Sequence, residues 1–198
     1  GRDHGNDEGI PPDGFKRTLM GVYPAGGAFD YGTFESMGAG DGLGGNGITP
    51  IVLSSWMHFM DAEVAGVNTA AGTASTLAGI ENSLNKVNGF AGSPTMPSGA
   101  IDAYLAAFQY DWNIAADKME LWAEEFWTTQ RGNGIDAYNS YRRNGYPKNL
   151  QPMLETNPGP FPVSMWYPAN YAANNSNVTQ KADVTGRVFW NTGGPSVD

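Results

Sequence analysis

Apolar residues recur at three- and four-residue spacing through the middle of the chain, and that period predicts helices. Pro50 suits a first helical turn capped by Thr49 or a neighbour, with Val52, Trp56, Phe59-Met60 and Glu63-Val64 marking the faces that follow. Ala70, Ala74, Leu77, Leu84 and Val87 predict a second helix over residues 69–87. Ser98 is placed to cap a third, carrying Ile101, Tyr104-Leu105 and Phe108. Met119, Trp122 and Phe126 form one stripe of a helix predicted over residues 113–131. The run Gly132-Asn133-Gly134 breaks it, and residues 134–143 read as a shorter helix stopped by Gly145 and Pro147. Arg142 and Arg143 end that helix at its negative pole, within reach of a carboxylate such as Glu124 or Glu125 on the helix before it.

Outside this block the periodicity fails. Residues 1–48 are glycine-rich and read as loops with a short strand or hairpin at most. After residue 146, prolines and asparagines interrupt any long helix, and a short strand is predicted near residues 188–190. The expectation is a mainly α fold in three stretches: a loop region over 1–48, a helical core over 49–146, and an irregular region over 147–198.

Five elements, in order, carry a resemblance. They are the Pro-led helix over residues 50–65 (PIVLSSWMHFMDAEVA), Gln130-Arg131, residues 141–147 (YRRNGYP), Tyr167-Pro168 followed by asparagines, and residues 187–192 (RVFWNT). Together they resemble the SusD/RagB superfamily of nutrient-binding outer-membrane lipoproteins, SusD-like branch, across roughly residues 50–192. Val64 stands where that pattern usually has Ala, and Asn191 where it has Asp. The resemblance implies the loop-rich C-terminal part of an α-helical, tetratricopeptide-like protein, since members of the superfamily are much longer. It also implies capture of an oligosaccharide, or alternatively a peptide, without catalysis. The captured ligand passes to a SusC-like TonB-dependent transporter at the cell surface. The outer-membrane lipid anchor of such proteins is carried on a cysteine, which this chain lacks. Glu124, Arg142 and Arg143 are expected to be structural.

Composition narrows the chemistry. A net charge of −9 argues against nucleic-acid phosphate as a partner. Without cysteine there is no disulfide and no thiol catalysis, and with only His4 and His58 a His/Cys zinc site is not expected. His58, beside Trp56 and Phe59, reads as a packed or boundary residue. The acidic cluster Asp3, His4, Asp7, Glu8 and Asp13 lacks the ligand spacing of a calcium loop. Gly40-x-Gly42-x-x-Gly45 matches a dinucleotide fingerprint in letters but has no apolar strand before it. No cofactor is expected.

Glu63, Asp117, Glu120, Glu124 and Glu125 lie near aromatics, so a glycoside hydrolase is the least favoured alternative. A structural subunit of a surface complex is another. Aromatic residues make up 12% of the chain, and several fall outside the predicted helices. Their flat faces suit the C–H faces of sugar rings. Within residues 21–34, Tyr23, Phe29, Tyr31 and Phe34 are candidate stacking platforms and Asp30 a candidate hydroxyl acceptor. Trp166, Tyr167 and Trp190, inside the matched elements, are expected to plug loops onto the core.

Overall fold

The computed structural model describes residues 48–91, 95–151, 156–157, 159–191 and 193–195. Among them the chain is helical: α1 (Ser54–Ala65), α2 (Ala70–Asn88), α3 (Ala100–Ile114), α4 (Lys118–Thr129), α5 (Gly134–Asn144) and α6 (Ala169–Asn174), with no strand. The expected strand near residues 188–190 is instead a turn, closed by the Asn191 N–H on the Val188 carbonyl at 2.9 Å. Two compact units divide the chain, residues 1–134 and 135–198.

In the first unit α1 and α2 form a tight hairpin. Gly66 ends α1 with φ +87°, a backbone conformation costly for any residue with a Cβ. Thr69 then caps α2, its hydroxyl accepting the Gly72 N–H at 3.0 Å. The helices approach closely because α2 turns Gly72, Thr76 and Gly79 inward. A Cβ built on Gly72 would overlap the Gly66 carbonyl, and one on Gly79 would lie 2.8 Å from the Phe59 ring. Ala70 and Ala74, two of the residues whose spacing predicts the helix, are exposed. Close backbone approach, more than side-chain hydrophobicity, chose the buried face.

Three helix starts differ from expectation. α1 begins at Ser54 with Leu53 as N-cap, so Pro50 precedes the helix and Val52 is exposed. α3 begins at Ala100 after Gly99 in the left-handed region, one residue past Ser98. The span expected as one helix over 113–131 is broken by extended Ala115, and α4 starts afresh where Asp117 accepts the Met119 N–H at 3.1 Å. Alanines 115 and 116 would continue a helix, but an Asp that can cap competes with the helical backbone and here prevails.

The core of this unit is aromatic. Phe59 lies stacked on Phe126 at 5.2 Å and edge-on to Trp122 at 6.4 Å. Burying three indoles is tolerated because each N–H finds an acceptor. Trp56 donates to the Thr129 carbonyl at 2.9 Å, Trp122 to the Phe59 carbonyl at 3.1 Å, and Trp112 to the Thr73 hydroxyl at 3.0 Å. Of α4's predicted stripe, Trp122 and Phe126 are buried and Met119 half-buried.

The second unit consists of α5, α6 and irregular chain. Gly145, at φ +75°, ends α5, and a Cβ there would sit 2.9 Å from the Gly193 carbonyl oxygen. The tail is thereby pressed onto the helix end, where the Gly193 N–H also reaches the Arg143 carbonyl at 3.2 Å.

Candidate functional site

Helical spacing puts Tyr138, Asn139 and Arg142 on one face of α5. Arg142 donates from Nε to Asn139 Oδ1 at 3.1 Å and from Nη1 to the Val163 carbonyl at 3.0 Å. Its guanidinium also packs on two rings, 4.9 Å from the centre of Tyr138 and 4.4 Å from that of Trp190. A planar cation that can stack and donate at once joins helix, loop and tail. Tyr138 and Tyr141 hold Phe161 at 6.0 and 5.2 Å, and the Tyr138 hydroxyl donates to the Pro162 carbonyl. Residues 161–164 are thus fixed on α5.

Fixing that segment fixes the next. Val163 and Ser164 both donate their N–H to the Val184 carbonyl, each at 3.0 Å. This positions residues 180–188, where the exposed chemistry lies. Gln180 uses one side-chain amide to bind both backbone groups of Tyr167: its Nε2 donates to the Tyr167 carbonyl at 2.9 Å and its Oε1 accepts the Tyr167 N–H at 3.1 Å. The same Oε1 accepts the Lys181 N–H at 3.0 Å. Tyr167 and Lys181 are therefore held together, with Nζ over the ring, 5.2 Å from its centre.

Asp183 turns its carboxylate back on Thr185, accepting from the backbone N–H at 2.8 Å and the hydroxyl at 2.7 Å. These bonds, the hydroxyl's first, hold its carboxyl below the usual range and keep it ionised. Arg187 is anchored through Nη1 to Asn191 Oδ1 at 2.9 Å and through Nη2 to the carbonyls of Gly194 and Pro195. Three such bonds use at most three of a guanidinium's five N–H donors.

Tyr167, Lys181, Asp183, Gly186, Arg187 and Val188 line an open groove of about 510 Å³. Beside it, Tyr171 meets Tyr167 edge-on at 6.0 Å. Trp166, Tyr167 and Tyr171 are 51%, 39% and 49% exposed. This corrects the expectation that Trp166 and Tyr167 are plugs. Only Trp190, half-buried on Arg142, has that role. The signal available in the sequence was Pro168, which disfavours helical backbone at Tyr167 and so takes this pair out of any amphipathic helix.

The other candidates fall as follows. Tyr23, Phe29, Asp30, Tyr31 and Phe34 lie outside the described residues, as do the acidic cluster at the N-terminus and the Gly40–Gly45 motif. Arg142 has the partners given above, all within residues 135–198, and the Arg143 carbonyl binds the tail. On α4, the Glu124 carbonyl accepts from the Thr128 hydroxyl at 2.9 Å. Its neighbour Glu125 accepts from the Tyr104 hydroxyl at 2.6 Å. Burial chiefly pushes the Glu125 carboxyl up, Glu124 adds to the shift and the Tyr104 hydrogen bond opposes it. The Tyr104 phenol is pushed up as well, by burial first and then by its bond to Glu125.

His58 is half-buried and edges a shallow depression of about 330 Å³ with Glu81, Asn82 and Asn85. Among the described residues no cluster of His, Asp and Glu suits a metal ion, and no helix is long and apolar enough to cross a membrane.

Compared with known protein families, curated proteins and solved structures, the chain matches none of them.

Proposed function

We propose that this protein captures oligosaccharide at a bacterial cell surface, without turning it over, and passes it to a SusC-like TonB-dependent outer-membrane transporter. The observation that carries the reading is the exposed aromatic cluster Trp166, Tyr167 and Tyr171 beside a polar groove holding Lys181, Asp183 and Arg187. Aromatic faces stack on sugar rings, and planar charged groups bond the hydroxyls around them. The five ordered elements that resemble SusD-like proteins support the same reading and extend it to the transporter and to lipid anchoring in the outer membrane. A C-terminal part of a tetratricopeptide-like SusD fold is the architecture that goes with it.

Binding is favoured over hydrolysis on chemical grounds. Glycoside cleavage uses two carboxyl groups on opposite sides of the scissile bond, one of them kept protonated. Asp183 is held as an anion by Thr185, which suits a hydroxyl acceptor and not a proton donor. Glu124 and Glu125 are consecutive on one helix, and Glu125 is engaged by Tyr104.

The 198-residue chain should show saturable calorimetric binding to an oligosaccharide with no new reducing ends on prolonged incubation. Tyr167→Ala should weaken that binding by about 1–3 kcal/mol if the ring is a central contact. Tyr31→Ala and Phe29→Ala test the 21–34 loop as a second contact surface in the same assay. Release of products would replace the reading with an enzyme, and binding of peptides but no glycan would replace the ligand class. Purification of the native protein from membranes should bring down a large β-barrel.

A further inference from the structure

Resting on the glycan reading, we infer that the Tyr167 groove selects saccharides bearing a carboxylate, uronic acids in particular, over neutral sugars. The protein as a whole carries a net charge of −9, which by itself would disfavour an anionic ligand. The groove reverses that balance locally, with Lys181 and Arg187 facing a single carboxylate, Asp183. Arg187 is preset by its bonds to Asn191, Gly194 and Pro195, and the Lys181 ammonium rests on the Tyr167 ring.

A uronate sugar offers three features together. It has an apolar C–H face, hydroxyls, and one carboxylate at the ring edge. The Lys181 ammonium lies over the Tyr167 ring, 5.2 Å from its centre, so a sugar carboxylate brought to this ring meets the cation there. Asp183, its carboxylate turned onto Thr185, accepts from sugar hydroxyls. The donors that Arg187 retains can take a carboxylate oxygen in the geometry guanidinium groups favour. A neutral sugar would use the ring and Asp183 but gain little from two charges.

The test is calorimetry on the full 198-residue chain with tetramers of galacturonate and of glucuronate, each alongside its fully methyl-esterified form. The free acid is expected to bind more tightly than the ester, by up to about fivefold for each exposed ionic contact. That preference should shrink at high ionic strength, since exposed charges are screened. Lys181→Gln should reduce acid binding by a larger factor than ester binding, so that the preference for the acid narrows. Lys181→Arg should restore the preference, and melting temperatures should show that both variants fold. Equal affinity for acid and ester, or preference for the ester, overturns the inference while the glycan reading stands. No binding of any acid, ester or neutral oligosaccharide overturns both.

Discussion

At the residue scale, the Tyr104–Glu125 pair sets a pH dependence. Glu125 sits in surroundings that disfavour its charge, chiefly by burial, so its folded-state pKa lies above the unfolded value of about 4.3. A group raised in the fold supports the folded state fully below the unfolded pKa, and that support is lost as pH rises through the folded value. Glu125→Gln keeps an oxygen for the Tyr104 hydroxyl and removes the charge. Wild type and variant should therefore melt together in acid, and the variant should become the more stable as the solution approaches neutrality. Thermal melts across pH check this; a variant less stable than wild type at neutral pH would show that the carboxylate is better compensated than its burial suggests. Periodicity could not reveal this pair, because Tyr104 and Glu125 come from different helices, 21 residues apart.

At the element scale, the α1–α2 hairpin depends on glycine where a helix ordinarily prefers alanine. Replacing Gly79 with Ala gains about 1 kcal/mol of helix propensity. Against that, the new methyl would lie 2.8 Å from Phe59, which is wholly buried against Trp122 and Phe126 and has nowhere to yield. Overpacking of this kind costs about 1–3 kcal/mol. Gly79→Ala should therefore lower stability in chemical denaturation despite its better propensity. A neutral or stabilising outcome would mean that the two helices can separate freely. The two helices were legible from their periods, but their close pairing and the buried face of α2 were not. Glycine and threonine carry no hydrophobic signal, and their value appears only when a neighbouring backbone comes close.

At the scale of the whole molecule, two compact units rest on different physics. Residues 54–129 bury an aromatic core. Among the described residues of 135–195 few apolar side chains are buried, and contacts that converge on Arg142 tie the unit together. Removing that side chain forfeits charged hydrogen bonds and two ring contacts, about 2–4 kcal/mol in total. In hydrogen exchange, Arg142→Ala should lose protection across residues 135–195, with the largest change near Val163 and Val184. Arg142→Lys should rescue it only partly, because an ammonium cannot stack and fork as a guanidinium does. Unchanged protection there would remove Arg142 from its central place. If the groove is the binding surface, Arg142→Ala should also weaken oligosaccharide binding without touching the ligand, since it holds residues 161–164 and through them Val184.

What the sequence determined is mostly local. Helical periods, the glycine break before α5 and the stop at Gly145 follow from short-range sterics and amphipathic spacing, and helices form in those stretches although three of their starts differ. Arg142 and Trp190 belong to short motifs, but a motif does not state its partner. Tertiary structure alone decided that Arg142 lies against Trp190, 48 positions later in the chain. It alone decided that one Gln180 amide fixes Tyr167 and Lys181 together, and that Trp166 and Tyr167 face solvent and not the core. The reason is that a period of apolar residues encodes which face of an element avoids water. Which polar groups meet across a loop depends on where the chain returns, and in a proline-rich stretch without repeating geometry no local spacing records that.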